Sequence, residues 1–182
     1  MYDEYPYVEP CCYHKHLTQI TDVVRRRGYA NFFTHTDVPL RPVLEWLATD
    51  MPMSEMTVSL LTVDRKTVET LGSLLSHEYY EASTGIQGFS VQRLNIITQG
   101  NDRQLLSSLR DRFPGRVRLA AEPKLAFRCI TMKRDERAYV IQGTVYQSTG
   151  SGCLQIFSMM SGTGIYNETH RILDSLLKIK GY

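Results

Sequence analysis

Short apolar runs alternate with helix-like segments through the first two-thirds of this chain, and that alternation constrains its fold more than any other feature. Strand-like runs occupy residues 30–35, 56–63 and 93–98, and each is followed by a segment with apolar residues at helical spacing. Strands separated by helices are typical of βαβ units, whose strands lie parallel in one sheet. The sequence therefore predicts an α/β fold.

The predicted helices are bounded by capping residues and by glycine or proline stops. Asp64 is the expected cap of the longest one, whose apolar face extends to Tyr79 and which Gly85 closes. Three arginines precede Gly28, which suits the carboxyl end of the first helix. The predicted helices lie at residues 14–27, 37–47, 65–84, 102–113 and 167–179.

The last third of the chain has a different pattern, with strands that follow one another directly. The polar turn Lys133–Glu136 joins two of them, and a loop rich in Gly, Ser and Thr is predicted from Gly143 to Gly152. Such a hairpin is antiparallel, so we expect a mixed, largely parallel sheet with helices on both faces. These later strands are predicted at residues 116–121, 125–132, 137–142 and 153–160.

Length and composition favour one globular domain. The chain has 182 residues, of which 42% are hydrophobic and 22% charged, which is ordinary for a folded protein. Neither a linker nor an internal repeat divides it. We expect a single domain over residues 14–182 and an extended, aromatic N-terminal arm over residues 1–13.

The N-terminus and the cysteines indicate a cytoplasmic protein. Met1–Glu4 is acidic where a secretory signal is basic, and no apolar run approaches the ~20 residues that span a bilayer. The four cysteines are too unevenly spaced for a disulfide framework. The cluster Cys11–His16 lacks the second, regularly spaced ligand pair of a zinc site. We therefore predict neither a metal nor a cofactor.

Positive charge is concentrated in one region. Residues 103–137 contain ten Lys and Arg against four Asp and Glu, although the whole chain carries only +2. Such a region favours polyanions. The alternative is that its arginines, among them Arg110, Arg112, Arg116 and Arg118, line solvated faces.

One histidine occupies a position that suits function. His35 closes the first core strand, where α/β sheets tend to place functional groups, although a structural hydrogen bond would also explain it. His77 falls within the longest predicted helix and is expected at the surface. No serine lies in a Gly-x-Ser-x-Gly turn, so an α/β-hydrolase nucleophile has no support.

From Leu94 onward the order of elements resembles one half of the phospholipase D superfamily. In that family a hairpin carries His-x-Lys, four residues and then Asp, and a Gly-Ser-x-Asn segment follows. Here Asp135 lies in the turn where the family aspartate belongs, and Gly143-Thr144 matches Gly-Ser, with Tyr146 in place of the asparagine.

The histidine and lysine of that motif are absent. Counting back from Asp135 places Arg128 at the histidine position and Ile130 at the lysine position, and sliding by one residue gives Cys129 and Thr131 instead. The family's histidine is the nucleophile, and neither arginine nor cysteine replaces it easily. The resemblance therefore implies the fold without the activity, and we lean against an enzyme.

The resemblance also implies a homodimer and a set of phosphate contacts. Active members bring two copies of the motif into one cleft, so a chain with one copy is expected to dimerise about a two-fold axis. His35 and Asp135 are the only weak candidates for a catalytic role. The residues expected to contact phosphate are Lys124, Arg128, Gly143, Thr144, Gln147 and Ser148.

Three functional hypotheses follow. The first is a non-catalytic, phospholipase D-like homodimer that binds nucleic-acid backbone weakly and without sequence preference, or binds another phosphorylated partner. The second is a structural or protein-interaction protein with a vestigial cleft. The third is a phosphodiesterase or nuclease with rearranged residues, such as His35 brought into the cleft.

Overall fold

The computed structural model of the chain describes residues 23–24, 26–35, 53–60, 63–76, 78–81, 86–89, 91–125, 128–134, 137–147 and 153–182. In these residues the helices are α1 (Arg65–Ser76), α2 (Arg103–Arg112) and α3 (Thr163–Lys180). The strands are β1 (Tyr29–His35), β2 (Met53–Ser59), β3 (Glu78–Glu81), β4 (Ile86–Phe89), β5 (Val91–Thr98), β6 (Val117–Ala121), β7 (Arg128–Arg134), β8 (Arg137–Gln147) and β9 (Cys153–Ser161).

Seven of the strands form one sheet in the order β1-β9-β8-β7-β2-β5-β6. β2, β5 and β6 are mutually parallel, whereas β7 and β9 run against all of their neighbours. Five of the seven strands thus point the same way, and the predicted mixed sheet of an α/β fold is confirmed. Four of the six neighbouring pairs are nevertheless antiparallel. The parallel pairs are β2–β5 and β5–β6, whose strands are joined by connections that include α1 and α2.

The sheet carries helices on both faces, as predicted. Successive residues of a strand face opposite sides, so Leu94 and Ile96 of β5 join a core with α1 and α2, whereas Ile97 joins a second core. That second core includes Leu173 and Leu177 of α3. Both faces of the sheet are therefore apolar at their centres.

Two predicted helix ends are confirmed. Asp64 caps α1: its Oδ1 accepts hydrogen bonds from the Thr67 N–H at 2.7 Å and the Thr67 hydroxyl at 2.8 Å, and these bonds lower the pKa of Asp64. Helical residues 23–24 and 26–27 end at Gly28, whose φ of 86° is left-handed and whose N–H donates to the Val24 carbonyl at 2.7 Å.

The predicted extension of the longest helix to Gly85 is wrong. α1 ends at Ser76, and Tyr79 lies in β3, which pairs with β4 in a separate two-stranded sheet. Tyrosines favour strands, and β3 and β4 flank a Ser-Thr-Gly segment of the sequence that suits a turn. His77 lies outside the described residues, as do the arm over residues 1–13 and the predicted helix over residues 37–47.

The predicted loop from Gly143 begins too early. β8 continues to Gln147, and its last residues pair with β9 as far as Cys153. Thr144, Val145 and Tyr146 are β-branched or aromatic and favour this longer strand. In the described part of the chain, the helices are too short or too polar to cross a membrane.

Candidate functional site

The carboxyl ends of β2, β5 and β6 meet at one edge of the sheet, which we call the carboxyl edge. β7 runs antiparallel to β2 and therefore begins at this edge, with Cys129 opposite Ser59. Open α/β sheets bind ligands outside the carboxyl ends of their parallel strands. The carboxyl edge is thus where the topology favours a site.

Hydrogen bonds hold the end of β2 against both of its neighbours. The Cys129 N–H of β7 donates to the Ser59 Oγ at 2.7 Å, and the Leu60 N–H donates to the Ile97 carbonyl of β5 at 2.9 Å. The first of these bonds holds the start of β7, and with it the main chain of Arg128, at the carboxyl edge.

The turn before β7 presents Lys124 at the same edge. The Glu122 N–H donates to the Thr98 carbonyl at 2.7 Å, and the Gln99 Nε2 donates to the Leu125 carbonyl at 2.8 Å, so this turn is tied to the end of β5. Lys124 is exposed.

The only acid of that turn is engaged within the protein. The Lys124 N–H donates to the Glu122 Oε1 at 3.1 Å, and the Lys180 Nζ lies 3.7 Å from the Glu122 Oε2. Partial neutralisation of Glu122 reduces its repulsion of an anion that approaches Lys124.

Arg128 and Gly143 lie directly opposite one another in the antiparallel pair β7–β8. In the sequence resemblance described above, these two residues align with the histidine and the first glycine of the phospholipase D motif. The strand register therefore brings two sequence-predicted site residues together at the carboxyl edge.

Of the other predicted site residues, Thr144 directly follows Gly143 and is opposite Ile156 of β9. Gln147 ends β8 about 13 Å along the strand from Gly143. His35 ends β1, which β9 separates from β8. Asp135 and Ser148 lie outside the described residues.

Cys129, which takes the nucleophile position in the alternative alignment, is buried beneath the carboxyl edge. Burial raises the pKa of its thiol to about 12. The thiolate is the nucleophilic form of cysteine, so Cys129 remains protonated and unreactive at neutral pH. A buried, protonated thiol is a poor nucleophile in this alternative alignment.

The basic region of residues 103–137 does not form one surface. Arg110 donates to the Tyr182 carbonyl, and Arg118 pairs with Asp174 at 3.3 Å. Burial lowers the pKa of Arg116. Its guanidinium donates to three main-chain carbonyls, those of Leu75, Val91 and Gln92. Several of these cations thus stabilise the fold, whereas Lys124 and the main chain of Arg128 lie at the carboxyl edge.

A polar network that sequence reasoning missed lies between the sheet and α3. The buried Asn95 donates from its Nδ2 to the Glu55 Oε1 at 2.8 Å and to the Thr57 Oγ1 at 3.0 Å. The His170 Nε2 of α3 lies 3.8 Å from the same Glu55 oxygen. The sequence does contain a signal for this network. Glu55, Thr57 and Ser59 are polar residues at alternate positions of β2, where a buried strand is usually apolar.

Aromatic contacts complete this network. The rings of Tyr166 and His170 stack with centroids 5.1 Å apart, and the Lys133 ammonium lies 5.4 Å from the Tyr166 centroid. Burial raises the pKa of Tyr166 to about 12, with Glu55 and Asp174 adding to the effect. The network is set back from the carboxyl edge and anchors α3 to the sheet. Among the described residues no cluster of three His, Cys, Asp or Glu could hold a metal.

Comparison with known proteins identifies the fold. The sequence matches no protein-family model and no curated protein. The structure is similar to that of TrmBL2, an archaeal chromatin protein with a novel mode of DNA binding, at 8% identity and a TM-score of 0.53, over 91% of this chain and 60% of that one. It is also similar to polyphosphate kinase from Porphyromonas gingivalis, at 13% identity and a TM-score of 0.54, over 90% of this chain and 28% of that one.

These likenesses concern the fold of the domain, and both agree with the predicted α/β class. This chain spans less than two thirds of either protein. Identities this low relate the folds alone.

Proposed function

We propose that this chain is a non-catalytic, phospholipase D-like homodimer whose carboxyl edge binds the phosphodiester backbone of nucleic acid. The observation that carries the proposal is the pairing of Arg128 with Gly143 at that edge, beside the exposed Lys124. Arginine and lysine are the usual phosphate contacts of proteins that read no sequence. A glycine allows the close approach of a phosphate to the main chain.

The absence of catalysis is proposed on chemical grounds. Phosphoryl transfer through a covalent intermediate requires a nucleophile. A guanidinium at position 128 remains protonated, and the Cys129 thiol is buried with its pKa raised to about 12. The positive charges of Lys124 and Arg128 can thus bind a phosphodiester without cleaving its ester bonds. The DNA-binding property of TrmBL2 is compatible with nucleic acid as the partner.

The proposal predicts weak, salt-dependent binding of the wild-type protein to DNA. Contacts made by lysine and arginine release counterions, so affinity should fall steeply as salt rises. The measurement is fluorescence anisotropy with single- and double-stranded DNA of several sequences, from 50 mM salt upward. Absence of binding at tens of micromolar protein would reject the proposal and leave the protein-interaction hypothesis.

The proposal also predicts no turnover of phosphodiesters. Purified protein incubated with bis(p-nitrophenyl) phosphate and with DNA should match the buffer control, because no nucleophile replaces the family histidine. His35→Ala is the informative variant, since His35 ends β1 at the carboxyl edge. Wild-type turnover that disappears in this variant would favour the phosphodiesterase hypothesis instead.

A further inference from the structure

The segments that follow the three parallel strands each bring exposed basic side chains to the carboxyl edge. These residues are Arg65 and Lys66 at the start of α1, Arg103 at the start of α2, and Lys124 in the turn after β6. All four side chains are exposed. We call these four residues the cation row.

Hydrogen bonds at the opposite edge of the sheet fix the direction of both helices. Arg116, which precedes β6, donates at 2.8 Å to the Leu75 carbonyl near the end of α1 and to the Val91 carbonyl at the start of β5. The Arg116 N–H donates to the Phe113 carbonyl, just after α2. Both helices therefore end beside the amino ends of the parallel strands. Their starts, roughly 15 Å away or more, lie toward the carboxyl edge.

A close approach joins the start of α2 to the end of β6. Gly100 has a left-handed φ of 102°, and a Cβ at this residue would lie 3.2 Å from the Ala121 Cβ and 3.9 Å from the Arg103 Nε. Arg103 is thus beside the end of the strand that leads to Lys124. Its guanidinium lies over the Tyr182 ring, 4.5 Å from the centroid, and the residue nevertheless remains exposed. The ring contact restrains Arg103 while leaving its positive charge at the surface.

The three acids that flank the row in the sequence are engaged within the protein. Asp64 accepts hydrogen bonds from Thr67, Asp102 accepts one from the Thr98 hydroxyl at 2.8 Å, and Glu122 lies beside the ammonium of a lysine in α3. In the described part of the chain, by contrast, no member of the cation row forms an ion pair with a carboxylate. The positive charge of the row is therefore available to an anion.

Basic residues are also unexpected where α1 and α2 begin. The amino end of a helix carries partial positive charge, which favours acidic side chains in the first turn and disfavours basic ones. The first turns of α1 and α2 contain no acid, and they include Arg65, Lys66 and Arg103 instead. A residue choice that is locally unfavourable is typical of a functional surface.

We propose that the cation row binds successive phosphates of one nucleic-acid strand that lies across the ends of the parallel strands. Neighbouring strands are about 4.8 Å apart, so the edge from β7 to β6 measures about 14 Å. Phosphates of one strand in a duplex are about 3.4 Å apart along the axis, so about four of them fit this length. The inference rests on the proposed function and extends it, because it adds Arg65, Lys66 and Arg103 as contacts and selects a polyanionic chain over an isolated phosphate.

Arg103→Gln tests the row at a residue outside the proposed Lys124–Arg128 pair. In fluorescence anisotropy at low salt, this variant should bind DNA several-fold more weakly, and its salt slope should decrease by about 0.9. Arg112→Gln is the matched control: Arg112 is exposed, lies over the Phe113 ring at 5.2 Å, and occupies the other end of α2. It should leave DNA affinity and salt slope unchanged. Circular dichroism checks that both variants remain folded.

Two further measurements test the extent of the row and the kind of ligand. The double variant of Arg65→Gln and Lys66→Gln should decrease the salt slope about twice as much as Arg103→Gln. A short unlabelled oligonucleotide should displace labelled DNA, whereas inorganic phosphate at the same phosphate concentration should displace it poorly. The reason is that a chain engages several cations at once.

The outcomes separate this inference from the proposed function. Equal DNA affinities of Arg103→Gln and Arg112→Gln would overturn the cation row, and if Lys124 and Arg128 still governed binding, the proposed function would stand. Inorganic phosphate that competes as well as the oligonucleotide would overturn the chain-like ligand. A wild-type protein that binds no DNA would overturn both the proposed function and this inference.

Discussion

Replacing both Lys124 and Arg128 with glutamate is expected to weaken DNA binding about tenfold or more at 50 mM salt. Each residue that contacts a phosphate releases about one counterion, so the slope of log affinity against log salt should also decrease by about 2. The change acts at the carboxyl edge, where Lys124 is exposed and Arg128 faces Gly143 across the strand pair. Fluorescence anisotropy over a salt series measures both quantities.

A matched double variant distinguishes the effect of where the charge is changed from the effect of the total charge on DNA binding. Arg26 and Arg27 are exposed and precede β1 on the amino-terminal side of the sheet. Replacing both with glutamate changes the net charge by the same amount, yet should reduce binding much less and leave the salt slope nearly unchanged. An equal loss in the two double variants would mean that overall charge governs binding, and the carboxyl edge would lose its assigned role.

Asn95→Asp is expected to destabilise the fold by about 3 kcal/mol at neutral pH, because it creates a buried charge beside another carboxylate. The side chain keeps its size, but the amide donor that lies 2.8 Å from the Glu55 Oε1 becomes a second acceptor. For a domain of this length the unfolding midpoint should fall by about 10 °C. Thermal unfolding followed by circular dichroism measures the shift.

The loss of stability in Asn95→Asp should increase as the pH rises. Burial and the nearby Glu55 favour the protonated form of an aspartate at position 95 in the folded state. Stability is then lost as the pH rises above about 4, where the unfolded aspartate ionises, and is regained in acid. Glu55→Gln in the same chain should restore much of the stability at pH 7, because an amide can donate to the new carboxylate. A pH-independent loss would contradict this explanation.

Local sequence patterns predict most of the helices and strands. The alternation of apolar runs and amphipathic segments predicts β2, α1, β5, α2 and β6, since each signal lies within one short stretch of sequence. Caps act over three or four residues, so Asp64 and Gly28 could be recognised directly. The hairpin β3–β4 was missed because its tyrosines continue the helical spacing of α1, and only pairing with β4 distinguishes the two structures.

The sequence by itself determined the α/β class, most element positions and, through the family resemblance, the alignment that selects Arg128 and Gly143. Only the tertiary structure decided that these two residues face one another, that Cys129 is buried beneath them, and that Asn95 bonds to Glu55 forty positions away. It also decided that the cation row is assembled at the carboxyl edge from three separate segments. Strand register, burial and exposure depend on every element that packs nearby, so no local pattern contains them.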